Sequence, residues 1–149
     1  MVTGCTTFTY SYNGLDTRIG KNEGTSQTYQ RDGVDVTSPV LSDGVGHFTP
    51  GVSEHVSSAT TFNHPDRLGT YCIQTNSSQS VTATQTFDAF GMQLASTGTP
   101  VGPFGFVGAS GYQTDATGLQ LLGHRYYDPS TGRFLTRDLA QLGRNANRY

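Results

Sequence analysis

Apolar and polar residues alternate with a period of two through most of the chain. In Thr7-Phe8-Thr9-Tyr10-Ser11-Tyr12 the rings fall on every second residue, the pattern of a half-buried strand. Asn13-Gly14 follows, a dipeptide suited to the positive φ of a tight hairpin turn, with Leu15 to Gly20 as the return strand. Thr25 to Arg31 alternates again and stops at Asp32-Gly33. Val34, Val36, Val40 and Leu41 predict a further strand pair, broken at Pro39 and ended by Asp43-Gly44. Residues 42–58 carry few hydrophobics and several glycines, and read as an irregular connection or a poorly formed hairpin. The strand signal returns at Ala59 to Phe62, Leu68 to Gln74, Ser80 to Phe87 and Met92 to Ala95, with turns at Asn63-His64-Pro65-Asp66 and Asn76-Ser77-Ser78. Tyr112 to Leu122 and Arg125 to Leu135 complete the series. Only residues 137–149, with Leu139 and Leu142, have any helical character.

An aromatic residue, then Asp, Asn or Thr, then Gly, recurs at Tyr10–Gly14, Tyr29–Gly33, Phe87–Gly91, Tyr112–Gly118 and Tyr127–Gly132. Each unit is one hairpin that cannot bury its apolar face alone; stacking successive units buries a stripe of Tyr and Phe. The predicted fold is all-β: a curling antiparallel sheet of consecutive β-hairpins, with little or no helix.

Composition agrees. Of 149 residues, 34% are hydrophobic and only 13% charged, while 19 are Gly. That is too weakly charged for a polyelectrolyte-type disordered protein, and too poor in hydrophobics for a large helical core. A formal net charge of −2 gives no global attraction to nucleic acid. No apolar run reaches the ~18 residues of a membrane span, and Met1-Val2-Thr3-Gly4-Cys5 lacks the charged and apolar stretches of a signal peptide. Cys5 and Cys72 define no disulfide framework.

Candidate chemistry is sparse. His47, His55, His64 and His124 lack metal-ligand spacing, so neither a metal nor another cofactor is expected. No nucleophile elbow and no phosphate-cradling loop is present. Arg125, Arg133, Arg137, Arg144 and Arg148 could form a small basic patch, but read more simply as a solvated strand face. Asn76-Ser77-Ser78 matches a glycosylation sequon of the kind that arises by chance.

The units resemble YD repeats, and residues 62–138 resemble the Rhs repeat-associated core domain. The likeness is carried by Asn63-His64-Pro65-Asp66-Arg67-Leu68-Gly69-Thr70, by Phe87-Asp88-Ala89-Phe90-Gly91, by Tyr112 through Leu119, and by Arg125-Tyr126-Tyr127-Asp128-Pro129-Ser130-Thr131-Gly132-Arg133-Phe134-Leu135-Thr136-Arg137-Asp138. On this reading residues 1–61 are divergent YD hairpins, 62–138 the core, and 139–149 a truncated tail. The resemblance implies a bacterial β-shell that encloses a C-terminal polymorphic toxin. It also implies an aspartic self-cleaving peptidase, with Arg125 as supporting arginine and Asp138 as first catalytic aspartate. Here Asp138 is followed by Leu139-Ala140, where the family has Pro, and the second aspartate would lie beyond Tyr149. An aspartic mechanism needs two carboxylates sharing a proton, so no self-cleavage is expected and the Arg125–Asp138 pair reads as structural. Asp66, Gly69, Asp88, Gly91, Asp128, Pro129 and Gly132 read as turn chemistry.

The function expected is therefore structural: a short YD-repeat module contributing to a toxin-enclosing shell. Its partners would be the rest of the shell or a second copy, joined through exposed sheet edges, with toxin as possible cargo and no nucleic acid. The alternatives are an incomplete self-cleaving peptidase core and a surface adhesion or carbohydrate-contacting β-module.

Overall fold

The computed structural model of the chain describes residues 7–137. The strands run, in order, β1 (Thr9–Tyr12), β2 (Arg18–Asn22), β3 (Ser26–Thr28), β4 (Gln30–Arg31), β5 (Val40–Ser42), β6 (Gly46–Thr49), β7 (Ser53–Val56) and β8 (Ala59–Pro65). They continue with β9 (Tyr71–Asn76), β10 (Val81–Phe87), β11 (Gln93–Gly98), β12 (Gln113–Thr114), β13 (Gln120–Leu122), β14 (Arg125–Asp128) and β15 (Arg133–Phe134). One short 3-10 turn, Gly108–Ser110, is the sole helical element among the described residues. Every pairing is antiparallel, and within a sheet each strand lies beside the one before it in sequence. The protein is all-β, built as a meander of hairpins.

Hydrogen bonding divides the predicted single ribbon into three sheets: β1-β2-β3, the eight strands β4 to β11, and β12-β13-β14-β15. The first two meet without a break in the chain. At Tyr29 the backbone changes partner: Thr28 N donates to Asp43 O (3.1 Å), and Tyr29 N donates back to Ile19 O (2.8 Å). Between the second and third sheets, residues 99–112 form a strap across the inner face of the eight-stranded sheet. Tyr71 N donates to Gly105 O (2.9 Å), Ala109 N to Gly69 O (3.0 Å), and Val107 N to Thr70 Oγ1 (3.2 Å).

One loop design recurs. Asn13, Asp66, Asn76 and Asp88 each accept, through Oδ1, the amides two and four residues ahead. The amide of each pairs with the carbonyl four residues on, and its carbonyl takes the amide three residues on. This is a type I turn closed by a left-handed residue, the three-residue hairpin loop. Asp16, Gly69, Gln79 and Gly91 hold the left-handed position. Asp115 with Gly118 repeats the backbone pattern, but turns its carboxylate elsewhere.

Four expectations need correction. Asn63, His64 and Pro65 are the last residues of β8, and the turn begins at Asp66. Residues 42–58 are not irregular: they supply β6 and β7, in the middle of the eight-stranded sheet. Their inward positions are Ser42, Gly46, Phe48 and Glu54, so the alternation is present but mostly polar. Gly14 does not supply the positive φ at the first hairpin; Asp16 does, at φ 59°. Val34 and Val36 form no strand: this loop closes through Asp32 N to Pro39 O (3.0 Å) and Ser38 N to Asp35 O (2.9 Å). Cys72 is a free thiol, and Cys5 lies outside the described residues.

The apolar core is small. Tyr29, Val40, Phe48, Tyr71 and Phe104 cluster, with Val56 and Ala109 against them. Phe48 and Phe104 meet edge to face at 5.1 Å between ring centres, which fixes the strap on the sheet.

Candidate functional site

The largest buried side chain is charged. Arg18 occupies an inward position of β2, beside Gly20, whose lack of a side chain allows the Gln27 backbone to approach. Its guanidinium donates to Asp115 Oδ2 at 2.6 Å, to the Tyr126 hydroxyl at 3.1 Å, and to Gln113 Oε1. The side chains of Arg18 and Asp115 are both fully buried. The rings of Tyr10 and Tyr29 each lie 5.4 Å from the guanidinium carbon. Arg18 comes from the first sheet; Asp115, Gln113 and Tyr126 come from the third sheet and its first turn. The pair thus joins residues 97 apart in sequence.

A second tier surrounds it. Lys21 Nζ reaches Glu23 Oε2 (2.7 Å) and Asp115 Oδ1 (3.5 Å). Glu23 Oε1 accepts from the Tyr10 hydroxyl (2.9 Å) and from Ala116 N (3.0 Å). Arg31 donates through Nε and a terminal nitrogen to Arg18 O (3.2 and 3.1 Å). Burial alone would lower the Arg18 pKa, but the hydrogen bond and charge of Asp115 raise it overall. Burial raises the Tyr10 phenol, as does its bond to Glu23; burial likewise raises Tyr29 and Tyr126. Arginine does not deprotonate in proteins, and these phenols hold their protons far above neutrality. The cluster binds the first and third sheets together.

A separate buried polar row lies on the inner face of the eight-stranded sheet. Asn63 Nδ2 donates to Glu54 Oε1 (3.0 Å), and Gln74 Nε2 donates to Asn63 Oδ1 (2.8 Å). Gln74 then grips both backbone groups of Val101 in the strap, donating to its carbonyl (3.0 Å) and accepting from its amide (2.8 Å). Neither this row nor the arginine cluster was expected from sequence. Glu54 had a usable signal: it pairs across β6–β7 with Phe48, so an inward Phe48 places Glu54 inward too.

The residues singled out from sequence sit elsewhere. Asp66 with Gly69 forms the β8–β9 hairpin loop, and Asp88 with Gly91 forms the β10–β11 loop. Asp128 heads the β14–β15 turn, where Oδ1 accepts from Ser130 N (2.9 Å) and Gly132 takes φ 66°; Pro129 is the next residue of that turn. Arg125, on β14, lays its guanidinium over the Phe134 ring at 3.9 Å. Asp138 lies outside the described residues. His47 and His55 face each other on the exposed side of β6–β7, and His55 Nδ1 and His64 Nε2 bond to Thr60 and Thr75 hydroxyls (2.9 Å each). Among the described residues no three His, Cys, Asp or Glu side chains converge as metal ligands.

No protein-family model matches the chain, and no curated protein matches it. Solved structures do. A Photorhabdus luminescens Tc holotoxin pore with a TccC3 mutation matches 89% of this chain at a TM-score of 0.66 and 18% identity. The crystal structure of TcdB2-TccC3 matches 89% at 0.63 and 19%, and TcdB2-TccC3 without its hypervariable C-terminal region matches 89% at 0.62 and 18%. The chain shares its fold with a part of those Tc toxin chains. At such identity the likeness is one of fold alone, and the chain spans 8% of the length of each of those chains.

Proposed function

We propose that this chain is a wall segment of an Rhs-type YD-repeat shell, one that surrounds a toxin and does not act on it. The observation that carries this reading is the match of 89% of the chain to Tc toxin chains. The meander supports it, because each hairpin adds a strand beside the last, so the sheet is extendable at its end. β11, the last strand of the large sheet, is exposed at all six residues. Its sequence, Gln93-Leu94-Ala95-Ser96-Thr97-Gly98, contains neither charge nor proline, the usual guards of a free edge. A neighbouring strand of the same shell is the partner such an edge fits. On this reading residues 62–138 are the Rhs core, residues 1–61 are divergent YD hairpins, and Arg125 and Asp138 are structural.

Size-exclusion chromatography with light scattering on the full chain, from 1 to 100 µM, tests the reading. Association that rises with concentration, and is suppressed by Ala95→Lys in β11, supports it. A compact monomer across that range overturns it.

A further inference from the structure

The strap is held to the sheet by few bonds, and one of its supports is a carboxyl group with an unsatisfied oxygen. Glu54 is 1% exposed. Its Oε1 accepts from Asn63, while Oε2 has no hydrogen-bond partner among the described residues. Oε2 lies directly beneath Gly102, where φ is +79° and a β-carbon would overlap it. The neighbouring Val101 is gripped on both sides by Gln74. The strap therefore sits on the carboxyl, within a network that Glu54 itself anchors.

Among the described residues no cation faces this group. The β5–β6 turn contributes Asp43, a second acid. β6 contributes Phe48, with His47 on the opposite, exposed face; β7 contributes Glu54 itself, with His55 outward. β8 contributes Thr61 and Asn63, with His64 outward, and β9 contributes Gln74 and the Tyr71 phenol, whose pKa burial raises. The strap from Thr99 to Gly111 carries no ionisable side chain. A carboxylate here would be a buried charge without a partner, which a protein interior resists strongly.

We propose that Glu54 is a proton-operated latch for the strap, closed while the carboxyl is neutral and released when it ionises. Burial raises its pKa, the Asn63 bond opposes this, and Asp43 adds to the rise, leaving the group at about 7. The direction follows from that sign. The folded carboxyl holds its proton more tightly than a solvated one, so closure is strongest below the usual carboxylate range and weakens as pH climbs through about 7. The strap opens before the sheet, because the sheet keeps its own ladders. Opening lifts Phe104 off Phe48 and Tyr71, uncovering the apolar core.

Limited chymotrypsin digestion of the full chain at pH 6, 7 and 8, read by mass spectrometry, tests the latch. Cleavage at Phe104 and Phe106 is compared with that of Glu54→Gln at each pH, which cancels the protease's own pH profile. The wild-type to variant ratio rises about tenfold from pH 6 to pH 8, as expected for one group titrating near neutrality. A ratio constant over that range overturns the proposal, as does equal acceleration of cuts within β6 to β10, which would mean the whole sheet opens. The binding of an apolar dye to the wild-type chain is a second reading that needs no variant: its fluorescence rises over the same interval, and an unchanged signal overturns the latch.

Discussion

Replacing Asp115 by Asn tests whether the inter-sheet cluster is a desolvated ion pair. The change keeps the shape of the side chain and removes its charge. Arg18 then stays buried, still bonded to Tyr126 and Gln113, but without a carboxylate; its Nε already has no hydrogen-bond partner among the described residues. Both side chains are fully buried, so solvent offers little compensation. Removing one member of such a pair costs about 3–5 kcal/mol. Near the melting transition of a chain this size, 1 kcal/mol corresponds to roughly 3 °C, so Tm should fall by about 10 °C or more. Urea unfolding followed by circular dichroism measures the loss directly, provided the dependence on urea stays constant between variants.

The double variant Arg18→Met/Asp115→Leu sharpens the test. It removes both charges and keeps much of the volume, so it should recover most of the lost stability, because the isolated charge and not the missing bond dominates the cost. A loss below about 1 kcal/mol in Asp115→Asn would refute the reasoning, placing the pair with solvent-screened surface bridges. So would a loss that disappears in 1 M NaCl, since salt screens exposed pairs far more than buried ones.

The remaining predictions concern the loops, the strap and the covalent integrity of the chain. Gln79 adopts φ 65° at the turn position that Gly69 and Gly91 hold in sister loops, so Gln79→Gly should stabilise by about 0.5–1 kcal/mol in urea unfolding; a destabilised variant would contradict the shared loop geometry. Gly102→Ala meets both a positive φ and the Glu54 carboxyl, and should cost about 2 kcal/mol or more by the same measurement, with a neutral result showing that the strap does not press on Glu54. An intact mass measured after expression should correspond to all 149 residues; a product ending near Asp138 would restore the self-cleaving reading.

Period-two alternation and Asx-to-Gly spacing made the meander legible, because those signals are local. Asp66 with Gly69 and Asp88 with Gly91 declare their loops within four residues. Asn76 with Gln79 builds the same loop without the glycine, so its left-handed residue has no signature. What stayed hidden is polar. Among the described residues, twelve buried side chains are polar or charged and seven are hydrophobic, so a search for apolar inward positions misses much of the interior. That is why residues 42–58 looked irregular, their inward positions being mainly Ser42, Gly46 and Glu54. Arg18 was hidden more deeply: its partner lies 97 residues away, and nothing beside either residue marks them as a pair. The cause is architectural. A sheet that grows by adding neighbours gains local contacts at every step, but nothing in that growth brings its first hairpins to its last. In this chain a desolvated Arg18–Asp115 pair joins the two ends, and its strict demand for matched partners fixes which sheet meets which.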